Sequence, residues 1–228
     1  MVKRLKLNII KGNKIMDIKE RVFSSNIKLI ENGLAIGFFG NASQRHNDSM
    51  YIKPSGIKLF SEKKDCIVRV NIKTGKFNGK YSPSTDSPTH VELYKKFPQI
   101  GGVVHTHSIY ATAWAQSGKS IPCLGTTHAD YWNGEIPITR DLTEDEINGK
   151  YEKETAKVII ERIKELNLDP LDCPGILVAN HGPFAWGETV EDAVKHAELL
   201  EYIARIAWLA LSINPNAEPI SSALLNKH

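Results

Sequence analysis

The chain has 228 residues, 41% hydrophobic and 24% charged, which is ordinary for a globular protein and suits one large domain with a complete core. Its 29 basic and 26 acidic residues leave a net charge of +3, too mild for nucleic-acid binding but suited to a small anionic substrate. No apolar stretch could span a membrane, and the basic N-terminal segment lacks the apolar run of a signal peptide. The three cysteines form no CxxC pattern, which predicts reduced thiols in the cytoplasm and excludes cysteine as a metal ligand.

The first predicted elements along the chain are one helix and three strands. The segment "DIKERVFSSNIKLIENG" is typical of a helix, because Asp17 and Glu20 have the spacing of a capping box and Gly33 is a stop signal. Apolar runs bounded by turn residues predict strands at "LAIGFF", "MYIKP" and "CIVRVNI". The first two of these strands are expected to flank a turn-rich segment, "GNASQRHNDS".

The middle of the chain predicts a helix, a strand and a second helix. "SPTHVELYKKF" is expected to be helical, with Pro88 in its first turn and Pro98 beyond its end. The buried-type strand "IGGVVHTH" follows, and then the helix "SIYATAWAQSG", which Gly118 ends.

The last third predicts a two-part helix, a strand and the longest helix. Thr143 and Glu146 form a capping-box pair, and Asn148-Gly149 is the candidate break between the two parts. "GILVANHG" is typical of a strand ending in a histidine, and a long helix begins after Thr189. Interleaved helices and strands predict an α/β sheet covered by helices on both faces, although the strand order cannot be read from the sequence.

Two strand ends carry histidines. Alternate residues on a strand share one face, so His105 and His107 are expected to direct both imidazoles to the same side. His181 also follows an apolar run, just before the breakers Gly182 and Pro183. Spacing alone leaves a metal-ligand role and a structural hydrogen-bonding role equally open. The remaining histidines that we considered are interpreted as structural rather than as ligands: His46, His90, His128 and His196.

A carboxylate would complete this histidine set. Asp86, at the mouth of a predicted helix, is the best candidate, although alone it would be read as a helix N-cap. Without cysteine ligands, a metal held here would be catalytic rather than structural.

Several motifs occur in the order seen in the class II, metal-dependent sugar-phosphate aldolase family, and in particular in its 4-epimerases: "GNAS", "IKPSG", "STDSPTH", "GGVVHTHS", "GTTHADY", "INGKYE" and "HGPFAWG". The chain resembles this family from about residue 17 to residue 228, with residues 1–16 as an N-terminal extension. The resemblance implies one three-layer α/β/α domain over residues 1–228, built around a largely antiparallel sheet. It also implies a homotetramer with four-fold symmetry, whose active sites lie between neighbouring subunits.

The resemblance also implies roles for named residues. A divalent metal, usually zinc, although Mn²⁺ or another divalent ion remains open, would be held by Asp86, His105, His107 and His181. Asp130 matches the catalytic aspartate, Glu152 and Thr126 match positions near it, and His228 matches a histidine near the subunit boundary. The phosphate-binding loops correspond to Asn41, Ser43, Lys53, Ser55, Gly56, Ser84 and Thr85.

The implied reaction is epimerisation of L-ribulose 5-phosphate at C4 to D-xylulose 5-phosphate. The hydrogen on C4 is not acidic, so these enzymes break and remake the C3–C4 bond instead. One alternative is an aldolase acting on a ketose 1-phosphate such as L-fuculose 1-phosphate, which Asp86 and Asp130 together disfavour. Another is a non-catalytic, adducin-like binding module, which the retained metal-site residues disfavour. The motifs leave open whether the pathway is that of arabinose or of ascorbate and xylulose.

The family pattern continues beyond "LLNKH" into a tail whose tyrosine serves the neighbouring site as a second acid/base group. A shortened sequence, a disordered tail or a naturally short protein would each account for an end at His228. Neither Tyr131 nor Tyr151 is assigned to the missing position. A chain that ends there is expected to keep metal and phosphate binding but to epimerise poorly, and activity equal to that of a tail-bearing form would contradict this.

Overall fold

The computed structural model describes residues 17–228, so the expected N-terminal extension lies outside the described residues. Helices span Ile18–Glu31 (α1), Ser87–Lys96 (α2), Ile109–Gln116 (α3), Thr126–Ala129 (α4), Glu144–Asn148 (α5), Tyr151–Glu165 (α6), Val190–Ile213 (α7) and Ser222–Leu225 (α8). Strands span Asn41–His46 (β1), Ser49–Ile52 (β2), Val68–Asn71 (β3), Gly102–His105 (β4), Gly175–Val178 (β5) and Gly182–Gly187 (β6).

The six strands form one sheet in the order β3-β2-β1-β4-β6-β5, and every neighbouring pair is antiparallel. The predicted fold class, a largely antiparallel sheet flanked by helices, is therefore confirmed. Single bridges continue the pairing beyond both outer strands. Val70 of β3 pairs with Phe77, and Leu177 of β5 pairs with Ile138.

Helices cover both faces of the sheet. On one face, Val103, Phe184 and Trp186 belong to a large buried cluster that includes residues of α2 and α6. On the other face, Ala42, Val104 and Ala185 pack against apolar side chains of α7 and of α1. Because adjacent residues of a strand point to opposite faces, the same short strands supply both layers of the core.

The close packing of α7 against the sheet depends on glycine. A Cβ atom on Gly102 would lie 2.2 Å from the Thr189 carbonyl oxygen, and one on Gly187 would lie 2.6 Å from Asp192 Cβ. Gly102 and Gly187 are register partners across β4 and β6. The first turn of α7 therefore rests on two strands that have no side chain at the contact.

One predicted strand is wrong. Residues 34–40, which include "LAIGFF", form an irregular connection in which Gly37 and Gly40 have positive φ angles of 65° and 72°. The strand lies instead in the segment that was expected to be turn-rich, at Asn41–His46. A hydrophobicity pattern cannot predict this strand, because its residues are mostly polar. β1 is nevertheless central in the sheet, and its first four residues are buried.

A second difference concerns Gly182 and Pro183, which open β6 rather than ending the ordered segment. β5 and β6 form a hairpin whose turn includes Asn180 at a φ of 58°. Pro183 needs no N–H at this position, and its carbonyl oxygen accepts from the Thr106 N–H at 3.3 Å. The sequence analysis therefore did not predict β6, which lies in the sheet between β4 and β5.

The helix predictions agree better with the structure. Thr143 and Glu146 form the expected capping box on α5, and the chain breaks at Gly149 before α6. Thr189 caps α7 by accepting from the Asp192 N–H. Asp17 caps α1 through the Lys19 N–H rather than through the expected pairing with Glu20. Within residues 17–228, no helix combines the length and the hydropathy that crossing a membrane requires.

Candidate active site

Three histidines meet at one end of the sheet. His105 is the last residue of β4, His107 follows two residues later, and His181 ends the turn between β5 and β6. Because β6 pairs with both β4 and β5, the turn lies beside the end of β4. The potential ligand nitrogens of the three side chains all lie within 4.8 Å of one another. Nε2 of His105 is 3.0 Å from Nε2 of His107.

The protein surroundings keep these imidazoles neutral and orient them. His105 Nδ1 lies 3.0 Å from the Pro183 carbonyl, which can only accept, so Nδ1 carries the proton and Nε2 is free to bind a metal. The Phe184 ring stacks on the His105 ring with centroids 4.2 Å apart. Burial lowers the pKa of His105 and of His181 to about 3, and it also lowers the pKa of His107. Neutral imidazoles are the ligand form, so the cluster could hold a divalent metal.

Asp86 supplies the nearby carboxylate. It occupies the N-cap position of α2, yet its side chain makes no cap hydrogen bond. Instead, Oδ2 accepts from the Asn41 Nδ2 group at 2.6 Å. Its negative charge opposes the burial effect on the pKa of both His107 and His181. Asp86 is not one of the three residues of the compact cluster, but it lines the same cavity.

That cavity has a volume of about 400 Å³ and contains most of the predicted binding residues. The three histidines and Asp86 line it together with Glu152. Three short segments supply the remaining predicted residues: Asn41, Lys53, Ser55, Gly56, Ser84 and Thr85. The structure thus brings a histidine cluster and a set of hydroxyl, amide and ammonium donors to one cavity.

Lys53 has two backbone partners in this cavity. Its Nζ group donates to the carbonyl oxygens of Phe38 and Gly40, the latter at 2.8 Å. Burial lowers the pKa of Lys53 to about 8, although the charge of Asp86 opposes that effect. At pH 7 the side chain is therefore mainly an ammonium ion, and its third N–H remains available to an anion.

Ser43 does not line this cavity, so its assignment to the phosphate-binding set stays a prediction that the geometry of one copy does not support. The residue is fully buried, and its Oγ atom lies 2.8 Å from both His90 Nδ1 and Tyr94 Oη. Asn41 and Ser43 share a face of β1, but only Asn41 lies at the open end, whereas α2 covers Ser43. The sequence motif did not distinguish the two positions.

Five residues that were not predicted as site residues also line the cavity: Phe38, Phe39, Gly40, Pro54 and Tyr151. The two phenylalanines were not predicted as cavity residues because their segment had been predicted as a strand. Tyr151 Oη lies 3.4 Å from His181 Nδ1, on the side of the imidazole opposite to Nε2. Its place in the "INGKYE" motif was the only sequence signal for it.

The other predicted catalytic residues lie elsewhere. Asp130 Oδ1 is 2.9 Å from His228 Nδ1, and both residues line a separate cavity of about 430 Å³. Thr126, the first residue of α4, lines a third cavity together with Ile203 and Ala207. Within residues 17–228, a single copy of the chain therefore divides the predicted catalytic residues between different surfaces.

Comparison with known proteins defines the class. Residues 20–208 match the family model described as "Class II Aldolase and Adducin N-terminal domain". The chain belongs to the class II aldolase and adducin family, as its motifs predicted.

Individual relatives show which members of the family the chain is similar to. The chain is 49% identical over 213 residues to the L-ribulose-5-phosphate 4-epimerase UlaF of Salmonella paratyphi A, and equally to that of Salmonella typhi, with 92% of each chain covered. Among solved structures it is similar to an L-fuculose 1-phosphate aldolase, with a TM-score of 0.77 and 25% identity over 94% of this chain and 95% of the other. YgbL from Escherichia coli shares the fold, with a TM-score of 0.72 and 22% identity over 92% and 96% of the two chains.

Proposed function

We propose that this chain is an L-ribulose-5-phosphate 4-epimerase, which inverts C4 to give D-xylulose 5-phosphate. The observation that carries this proposal is the shared cavity, in which the histidine cluster and Asp86 lie beside a set of phosphate-type donors. The 49% identity to two proteins named as this epimerase supports the choice of reaction.

The resident metal is proposed to be zinc. Three neutral imidazole nitrogens with one neighbouring carboxylate form a set that suits Zn²⁺, and the open cavity suits a catalytic rather than a structural ion. His105, His107 and His181 would hold it, with Asp86 as the carboxylate. When bound, the cation would act as a Lewis acid that stabilises negative charge developing on the ketose oxygens.

The remaining chemistry falls to side chains of the protein. The C4 hydrogen is not acidic, because the carbonyl group at C2 activates only its immediate neighbours. A base therefore removes the proton from the C4 hydroxyl group, the C3–C4 bond breaks, and the aldehyde turns before the bond forms again. Asp130 is proposed as one acid/base group, with Glu152 and Thr126 near the aldehyde. Glu152 already lines the cavity.

The substrate phosphate is proposed to bind at the donor end of the cavity. Asn41, Lys53, Ser55, Gly56, Ser84 and Thr85 offer amide, ammonium, hydroxyl and backbone N–H groups there. Gly56 has a φ of 66°, which places the "PSG" turn in a conformation that favours glycine. Ser43, predicted with these residues, does not line the cavity and is left out of this proposed set.

Asp130 is proposed to act in the cavity of a neighbouring subunit, with His228 positioning its carboxylate. The separation of these two residues from the histidine cluster in one chain supports a site shared between copies. The exposed aromatic and aliphatic side chains of α7, among them Tyr202, Trp208 and Ile213, support a homotetramer. The three cysteines are free and buried, which supports a cytoplasmic location.

Cleavage of a ketose 1-phosphate is the second candidate, because the fold is similar to that of an L-fuculose 1-phosphate aldolase. The higher identity to the named epimerases favours epimerisation. An adducin-like module without catalysis is less well supported, because the neutral histidine cluster and its polar cavity are both present.

The test is conversion of L-ribulose 5-phosphate to D-xylulose 5-phosphate before chelation, after chelation and after zinc is restored. We expect activity to disappear with the metal and to return with it. His107→Asn should lower kcat/KM by at least about 100-fold. His46→Asn, which changes an exposed histidine at the other end of β1, should leave it unchanged. Absence of conversion by zinc-loaded protein would contradict the proposal, and cleavage of a ketose 1-phosphate would then support the second candidate.

A further inference from the structure

Three polar residues recur at four-residue intervals along α2. They are Asp86 at the N-cap, His90 and Tyr94, and residues four apart lie on the same side of a helix. Each of the three contacts a residue of β1 on the face of the sheet that α2 covers. We call these three residues, together with Asn41 and Ser43 of β1, the α2–β1 ladder.

The contacts of the ladder are short and specific. Asn41 donates to Asp86 at 2.6 Å, and Ser43 Oγ lies 2.8 Å from both His90 Nδ1 and Tyr94 Oη. Tyr94 Oη also lies within hydrogen-bond distance of the Ser43 carbonyl oxygen, at 3.0 Å. Asp86 thus meets Asn41, whereas His90 and Tyr94 both meet Ser43, two residues further along β1. Contacts at two points along the strand limit how far α2 can slide along β1.

The inner part of the ladder is buried, and its outer end, Asp86, lies at the proposed metal centre. Ser43, His90 and Tyr94 have at most 1% of their surface exposed. The His90 ring lies 6.2 Å, edge-on, from the Phe184 ring, which in turn stacks on His105. Breaking a hydrogen bond of this buried network would leave a polar group without water, which opposes movement of α2 relative to β1.

We propose that Ser43, His90 and Tyr94 are positioning residues for Asp86, holding α2 in the one register that places this carboxylate beside the histidine cluster. This inference rests on the proposed metal centre, but not on the identity of the substrate. Asp86 needs such support because its carboxylate does not accept hydrogen bonds from the first N–H groups of α2, as an N-cap side chain normally does. Its only side-chain partner among the described residues is Asn41.

The test is titration of the metal-free protein with Co²⁺, read from the visible absorption bands that report the ligand geometry. Ser43→Ala and Tyr94→Phe should each weaken Co²⁺ binding by about tenfold or more and should shift the absorption bands. Ser49→Ala is the matched control, because it removes a buried serine hydroxyl from the neighbouring strand β2, where Ser49 accepts from Arg69. It should leave both readouts unchanged.

A double-mutant cycle separates positioning from general destabilisation. If Ser43 acts through Asp86, then Ser43→Ala should have little further effect on Co²⁺ affinity in an Asp86→Asn background. Equal effects in both backgrounds would overturn the proposal, as would wild-type affinity and wild-type spectra in both ladder variants. Because no sugar is present, a protein that fails to epimerise L-ribulose 5-phosphate can still satisfy this test, and an active epimerase can still fail it.

Discussion

Burial, rather than neighbouring charge, dominates the titration of the histidines in the core. It lowers the pKa of His90 to about 3 and that of His128 to about 4, from an ordinary value of 6.5. Both side chains are at most 4% exposed. They are therefore neutral in the folded protein throughout the range in which an unfolded chain takes up protons.

This difference predicts acid sensitivity of the metal-free protein. Below pH 6.5 the unfolded state binds protons at these positions while the folded state does not, so the free energy of unfolding must fall as the pH falls towards 4. At pH 5 each of the two histidines should contribute a loss of about 2 kcal/mol. Urea unfolding at pH 7.5 and pH 5 measures the loss. His128→Asn should remove about 2 kcal/mol of it, whereas Ser49→Ala should not, and an equal loss in both variants would contradict the assignment.

At the residue scale, the sequence identified the histidine cluster because its spacing has a geometric meaning. The two-residue spacing places His107 beside His105, although β4 ends at His105, and the turn before β6 brings His181 beside them. Strand alternation could not show that α2 covers Ser43 but not Asn41, since that depends on where α2, which begins only at Ser87, packs on the sheet. Family motifs therefore identified the cavity-lining residues but also included one buried neighbour.

At the scale of elements, the contact of α7 with the sheet places the strictest limit on side-chain size. A Cβ atom on Gly101 would lie 2.1 Å from the Glu188 carbonyl oxygen, and a Cβ atom on Gly102 would lie 2.2 Å from the Thr189 carbonyl oxygen. Both oxygens are backbone atoms, which cannot rotate away. The long helix can therefore begin only where neighbouring strands carry glycine.

Gly102→Ala should consequently destabilise the protein by about 3 kcal/mol, because the methyl group would separate α7 from β4. Gly125→Ala is the matched control, since a Cβ atom there meets nothing within 4 Å. The control should change the free energy of unfolding by less than about 0.5 kcal/mol. Thermal or urea unfolding of both variants gives the comparison, and similar stabilities would show that α7 can shift without cost.

Elements with local signals were predictable, and elements defined by their partners were not. Caps and stop signals located α1, α2, α5, α6 and α7 to within a few residues. β1 was not predicted because its residues are polar and because its central place in the sheet depends on pairing with the distant strand β4 as well as with the adjacent β2. β6 was not predicted because it begins with Gly182-Pro183, a pair that indicates the end of an ordered segment unless the neighbouring strands are known.

At the scale of the whole molecule, the proposed acid/base group and the proposed metal ligands lie in different cavities. A closed ring of identical subunits would resolve this separation, because each copy would offer its Asp130 to the next. The site would then be completed only by assembly.

Mixed oligomers test this arrangement. Asp130→Asn and His107→Asn should each be inactive alone, whereas co-expression in equal amounts should restore about a quarter of the sites, since a functional site needs one intact surface from each of two neighbours. Epimerase activity of doubly tagged, co-purified oligomers gives the fraction. Activity no higher than that of the two parents would show that Asp130 does not act across a subunit boundary.

The bridges at the two outer strands limit how such an assembly can form. The Leu177 N–H of β5 donates to the Pro137 carbonyl oxygen and the Leu177 carbonyl accepts from the Thr139 N–H, while the Asn71 N–H of β3 donates to the Lys76 carbonyl oxygen. Several hydrogen-bonding groups on both borders are thus already occupied by the chain itself, which disfavours extension of the sheet by a strand from another copy. In the proposed assembly, copies would therefore join through helices and loops, and the same occupied borders would oppose edge-to-edge aggregation.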